Sequence, residues 1–287
     1  MKRTFAAEVF KSTTGHSDAE FDEASPPMNK DKLRELVDNS LSTADERWKA
    51  HGSRLHKLDS KTAGAGAPPV FVPSYIPGHA VVETARPTVS SFIVWMLDMR
   101  DSTKHMTERI AAAKATELHR IYLETTALLP AAASIVADRG GSVTEFQGDG
   151  VLALFPFPED QKPSDERDKA VYAAFFAAED ALECVDTVIN PALSTRYDLP
   201  PIQVGIGLAL SAALVTTVGL EAHQQPAAFG QCVWRASKLS KGRGMIQADK
   251  NLHMAWPKAD NGPLWFEKRA TDHGFDSYIV SRQKKRN

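Results

Sequence analysis

Residues 90–103 read SSFIVWMLDMRDST. The run over 90–97 is apolar without alternation, the pattern of a strand buried on both faces of a sheet. Asp98 follows it directly, so a carboxylate stands where a buried strand reaches the end of the sheet. Asp101, Ser102 and Thr103 are residue types that cap helix N-termini, and the spacing predicts a helix running from there past Tyr122. Pro130 predicts a break, followed by a second helix that ends at Gly140-Gly141.

A second stretch, GGSVTEFQGDGVLALF over 140–155, has a related form. It predicts a hairpin with strands over 142–146 and 151–155 and a turn at Gly148-Asp149-Gly150. Taken alone, Gly-Asp-Gly is an ordinary turn and Asp98 an ordinary helix cap. Together they place two carboxylates at the ends of apolar strands. Mg²⁺ or Mn²⁺ takes one or two such carboxylates and fills its remaining positions with water and phosphate oxygens. Two ions held there activate an attacking hydroxyl and stabilise a departing pyrophosphate. The flanking glycines let a bulky ligand come close, and the predicted helix start after Met99 suits a polyphosphate.

Working outward, the pattern predicts a helix over 165–189, strands over 202–209 and 214–220, and a helix over 232–240. A strand over 245–248 and a terminal pair over 265–269 and 278–281 follow. This order gives an α+β fold, an α/β sandwich on a mixed, mainly antiparallel sheet. Upstream, residues 1–29 are polar and read as a mobile arm. Leu33, Leu36, Val37, Leu41 and Ala44 recur at helical spacing, which predicts an N-terminal helical extension over 30–60. Residues 61–89 read as a linker rich in Gly, Ala and Pro, with a short edge strand over 70–75 between prolines. The catalytic domain is then 90–287.

Composition narrows the class. Lys+Arg 34 against Asp+Glu 36 leaves a net charge of -2, which gives no bulk attraction to nucleic acid or to a membrane surface. The longest apolar stretch, 206–220, carries Ser211, Thr216 and Thr217. It falls short of the ~20 apolar residues of a bilayer span and reads as a buried strand pair. Cys184 and Cys232 lie far apart without partners at metal-ligand spacing, as reduced thiols do. The first residues, MKRTFAAEVFKSTTGHSD, lack the apolar core of a signal peptide. The expectation is a soluble cytoplasmic protein with no nucleic-acid or membrane partner.

Four segments in order, FIVWMLDMRDST, GGSVTEFQGDGVLALF, IQVGIGLALSAALVTTVGL and AFGQCVWRASKLSKGRGMIQAD, resemble the class III nucleotide cyclases. The resemblance covers residues 90–281. It implies the cyclase sandwich and a homodimer with its sites between antiparallel protomers. It also implies two Mn²⁺ or Mg²⁺ ions per site and closure of a nucleoside triphosphate to a 3′,5′-cyclic monophosphate. Asp98 and Asp149 match the metal aspartates, and Met99 would add its backbone carbonyl. The backbone of Arg100, Asp101, Ser102 and Thr103 would hold the triphosphate. Glu145 and Ala227 fall at the base-selecting positions. Trp234 falls where the family has a ribose-orienting Asn. Lys238 falls where it has an Arg that stabilises the transferring phosphate.

The departures carry information. Glu145 with Ala227 matches neither purine pattern, and Trp234 in place of Asn narrows the pocket. Asp-Met-Arg-Asp-Ser-Thr and the Lys in SKLS are similar to the pyrimidine cyclases of bacterial Pycsar antiphage systems. That resemblance implies conversion of UTP to cyclic UMP, which activates a separate effector. Cytidylate cyclase, guanylate or adenylate cyclase, and a degenerate nucleotide-binding module are the alternatives. Lys238 supplies charge without the bidentate fork of Arg. Arg235, Lys241 and Arg243 are close enough in sequence to share that charge, or equally form a solvated helix face. Trp234 reads equally as an interface anchor.

Overall fold

The sheet is organised around β3 (Thr88–Met99), and in this computed structural model β3 lies between two antiparallel neighbours. These are β5 (Gly150–Pro156) on one edge and β6 (Val204–Leu220) on the other. The structure describes residues 71–282 except 114–115, 159–164, 221–222, 258–263 and 270–273, together with Glu46 and Ala50. The chain divides into two units, Met1–Ala50 and His51–Asn287, and the fold below belongs to the second. The arm over 1–29 and, apart from the helical Glu46 and Ala50, the helix expected over 30–60 lie outside the described residues.

The strand order is β4-β5-β3-β6-β8-β10-β9. Here β4 is Ser142–Gln147, β8 is Met245–Asp249, β9 is Leu264–Arg269 and β10 is Ser277–Arg282. The pairing of β6 with β8 is parallel and the others are antiparallel. β7 (His223–Gly230) pairs with the far end of β6, on the edge that β8 vacates. The mixed, mainly antiparallel α+β sandwich expected from the sequence is the fold observed.

Period-two alternation gives the sheet two apolar faces. Ile93, Trp95 and Leu97 of β3 point to one face with Val151, Ala153 and Phe155 of β5. Helices α2 (Glu117–Asp138) and α3 (Asp165–Cys184) cover it with Leu128, Ala132, Val136, Val171, Ala174 and Phe175. Phe92, Val94 and Met96 point to the other face with Leu152 and Leu154. There α5 (Gln231–Leu239) contributes Cys232 and Ala236. Each large side chain so buried is worth about 1.5–3 kcal/mol. The remaining helices are α1 (Ser102–Thr107), α4 (Asn190–Tyr197) and α6 (Lys250–Ala255). Among the described residues no helix is long and apolar enough to cross a membrane.

Several expected boundaries are corrected. The segment over 70–75 is one strand of a hairpin, β1 (Phe71–Ile76) with β2 (His79–Glu83), whose Ile76 and Val82 pack under the second face. The helix from Ser102 stops at Thr107, where Glu108 is extended, and α2 starts afresh at a Thr116 cap. Pro130 lies inside α2 rather than between helices. It is on the exposed side, as is Thr126, whose carbonyl loses its usual donor there, while the buried side packs unbroken. The helix expected over 165–189 runs on through a π-helical turn (Val185–Ile189) into α4. The strand pair expected over 202–220 is a single strand of 17 residues paired with β7, which was missed. Ser211 does not break it, because its hydroxyl donates to the Ala212 carbonyl and accepts from Cys232 N–H.

Candidate active site

The even-numbered residues of β3 face α5, so Asp98 shares a face with Met96 and Val94 at the end of the strand. Cross-strand register sets Asp98 opposite Gly150 of β5 and Gly205 of β6. Both glycines are there for space. A Cβ on Gly150 would lie 2.8 Å from the Leu97 carbonyl oxygen. A Cβ on Gly205 would lie 2.1 Å from the carbonyl oxygen of Gly242 and 2.3 Å from that of Ser240. The bare Gly205 therefore lets the loop after α5 settle beside Asp98. Asp149 is delivered by the β4–β5 turn, where Gly148 takes φ 66, a conformation that favours glycine.

Asp98, Met99, Arg100, Asp101, Ser102, Thr103, Lys104, Thr107 and Asp149 line one cavity of about 580 Å³. That is within the usual size range of small-molecule sites. Burial pushes the Asp98 carboxyl above its ordinary value, and the neighbouring Asp149 carboxylate pushes it the same way. Arg100 and Lys241 oppose the rise. Two carboxylates this close repel unless a cation lies between them.

Arg100 supplies an internal cation. Its guanidinium pairs with Asp98 and donates to the Lys241 carbonyl at 3.0 Å and to the Met99 carbonyl at 3.3 Å. Its Nε is buried and has no acceptor among the described residues. A second pair closes the other side. Both Arg243 nitrogens reach Asp101 carboxylate oxygens at 2.7 Å, a two-pronged contact that holds the Asp101 carboxyl below its ordinary range. Asp101 itself is left-handed, at φ 60.

The donor set fits a hard divalent ion: two carboxylates, the adjacent Met99 carbonyl, and room for phosphate oxygens. Among the described residues no group of three or more His, Cys, Asp or Glu side chains is placed to hold a metal, so protein side chains alone do not complete a shell.

The expected site residues fall into two sets. Asp98, Met99, Arg100, Asp101, Ser102, Thr103 and Asp149 come together; Glu145, Ala227, Trp234 and Lys238 do not line the cavity. Glu145 is exposed on β4 and accepts a hydrogen bond from Gln147 at 2.9 Å. Ala227 sits on β7 opposite Thr216. Trp234 is 49% exposed on α5, with its ring centroid 5.5 Å from that of Phe275. Lys238 is half-buried one turn further along α5. Sequence reasoning underrated Lys241 and Arg243, which the Gly205 gap brings to the cavity rim. The basic run SKGRG was their only signal.

No family model matches the sequence, and no curated protein matches it. Solved structures are similar in fold. The crystal structure of the adenylyl cyclase CyaB from P. aeruginosa matches at a TM-score of 0.56 and 17% identity, over 70% of this chain and 98% of that one. The guanylyl cyclase Cya2 matches at 0.52 and 17%, over 67% and 91%. The catalytic core of a rhodopsin-guanylyl cyclase with converted specificity, in complex with ATPalphaS, matches at 0.52 and 14%, over 70% and 100%. The chain thus has the fold of class III cyclase catalytic domains.

Proposed function

We propose that the chain is a nucleotide cyclase that converts UTP to 3′,5′-cyclic UMP and pyrophosphate. The observation that carries the reading is the convergence of Asp98 and Asp149 on one cavity whose floor is residues 99–104. When bound, two Mn²⁺ or Mg²⁺ ions supply Lewis acidity toward the ribose 3′ oxygen and the phosphate chain. Asp98, Asp149 and the Met99 carbonyl would hold them. The 3′ oxygen forms a bond to the α-phosphorus, its proton is lost to solvent, and the bond from that phosphorus to the bridging oxygen breaks to release pyrophosphate. Residues 100–103 hold the triphosphate in line, and Arg100 leaves Asp98 to meet it.

The site is completed by a second copy in a homodimer. Glu145, Ala227, Trp234 and Lys238 stand away from the cavity in their own chain, and an antiparallel partner would present Trp234 and Lys238 to it. The pyrimidine preference rests on Ala227, which offers the base no side-chain hydrogen bond, and on the bulk of Trp234. The role as a second messenger in antiphage defence, acting on a separate effector, rests on the resemblance to the Pycsar cyclases. Glu145, whose carboxylate is exposed, favours guanylate cyclase as the second reading.

Equal concentrations of UTP, CTP, GTP and ATP with Mn²⁺, products resolved by mass spectrometry, test the base choice. Cyclic UMP should lead and cyclic CMP follow. Predominant cyclic GMP would replace the pyrimidine reading with the guanylate one.

A further inference from the structure

α1 lines the cavity through Ser102, Thr103, Lys104 and Thr107, yet it buries none of its own residues. Hydrophobic packing therefore does not fix it, and a six-residue helix has little stability of its own. Its tether to the body is polar. His105 Nδ1 lies 2.8 Å from Oε2 of Glu124 on α2. Glu124 is 0% exposed, and its other oxygen accepts from Arg120 Nε at 2.7 Å. Arg120 is buried as well. A carboxylate taken fully out of water needs all its partners, and one of the two for Glu124 comes from α1. The other ion pairs of α1 and its two caps are exposed. The Lys104–Glu108 pair stays within α1 and its cap, and the Arg243–Asp101 pair is 54% and 42% exposed. Exposed pairs constrain position weakly.

We infer that Glu124, acting through His105, is a positioning residue that sets α1, and with it Ser102, Thr103 and Lys104, at the height where the cavity takes a triphosphate. The identity of that ligand rests on the cyclase reading; the anchor itself rests on the buried Glu124. Glu124 touches no substrate. Its carboxylate fixes the hydrogen of His105 on Nδ1 and turns the imidazole inward, which holds the cavity face of α1 outward.

Three variants test this: His105→Ala, His105→Gln, whose amide N–H still reaches a carboxylate, and Glu124→Gln. Amide hydrogen exchange over 102–107 should quicken in His105→Ala while exchange in β3 and α2 stays as in the wild type. The KM for UTP should rise by about tenfold, the scale on which losing a supporting partner is felt, with kcat at saturation changed much less. His105→Gln should recover part of both effects. His105→Gln keeps a donor on the buried Glu124, so it remains a folded test even where His105→Ala or Glu124→Gln is too destabilised to use. A lowered Tm with unchanged KM and unchanged exchange over 102–107 would overturn the inference. Calorimetric titration with inorganic tripolyphosphate and Mn²⁺ separates this reading from the cyclase reading. Weaker binding in His105→Ala, in a wild type that makes no cyclic nucleotide, keeps the anchor and removes the cyclase. Equal binding in His105→Ala and wild type removes the anchor whatever the activity. A wild type that binds no tripolyphosphate and makes no cyclic nucleotide removes the triphosphate site, and exchange over 102–107 then decides the anchor alone.

Discussion

Asp98 and Asp149 meet at one cavity because Asp98 lies at the end of β3 and Asp149 in the turn that leads into β5, and the antiparallel pairing of these strands brings the two to the same edge of the sheet. Both were legible from sequence, since an apolar run with a carboxylate at one end, after it for Asp98 and before it for Asp149, fixes strand and end together. Lys241 and Arg243 were not legible in the same way. Their place depends on a close backbone approach over Gly205, which no local pattern announces. Two predictions belong at this scale. Arg100→Ala should bind Mn²⁺ more tightly than wild type without nucleotide, because Asp98 loses its internal cation, and should bind UTP more weakly. Paramagnetic resonance of free Mn²⁺ reads the first effect, and unchanged Mn²⁺ affinity would show that Arg100 does not compete for the carboxylate. The second concerns Asp249, fully buried against Arg235 at 3.0 Å, whose carboxyl burial pushes above the ordinary 3.8. The folded state then holds that proton more tightly than the unfolded state, so this group's contribution to stability falls as pH rises above about 3.8 toward the folded value. Asp249→Asn removes that dependence. The stability of the variant minus that of wild type, from urea unfolding at a series of pH values, should therefore increase with pH through that window; a flat difference would contradict the shift.

At the scale of elements, the sequence reading succeeded where periodicity was strong and failed where tertiary packing decided. The β4–β5 hairpin and α5 were placed almost to the residue, because glycine turns and a clear apolar stripe mark them. β7, reading HQQPAAFG, carries a proline and two glutamines and looks like loop. It is a strand because β6 extends beyond β8 and leaves a free edge to pair. The break between α1 and α2 was equally hidden, since the residues across it keep helical composition. Gly207 makes the approach of α5 measurable. A Cβ there would lie 2.1 Å from the Ala236 carbonyl oxygen, a backbone atom that cannot swing aside. Gly207→Ala should cost about 1–3 kcal/mol of stability, the range for overpacking a tight contact. Urea unfolding checks it, and a loss within experimental error would mean that α5 is free to shift.

Across the whole molecule, the division of the site residues is the main lesson. Sequence order alone sets Asp98, Glu145, Asp149, Ala227, Trp234 and Lys238 in one file, and nothing in it says that they separate in space. The fold puts the two aspartates on one cavity and leaves the other four on β4, β7 and α5. A homodimer reconciles this arrangement with a complete site, and it makes a prediction that a monomer does not. Asp149→Ala and Lys238→Ala should each be nearly inactive as homodimers. Their mixture should regain activity, because a mixed pair carries one site with every residue intact. No recovery on mixing, with subunit exchange verified, would place Lys238 outside the shared site.

The account stands on cyclisation at the two aspartates, and product analysis tests that directly. Purified protein with Mn²⁺ and UTP should release cyclic UMP and pyrophosphate in equal amounts, followed by phosphorus NMR. Asp149→Asn, of nearly the same shape but without the charge, should lower the rate by at least about 100-fold, the scale of losing one electrostatic stabiliser of a transition state, with its far-ultraviolet circular dichroism unchanged. No cyclic product from any of the four nucleoside triphosphates, or an Asp149→Asn rate equal to wild type, would contradict it.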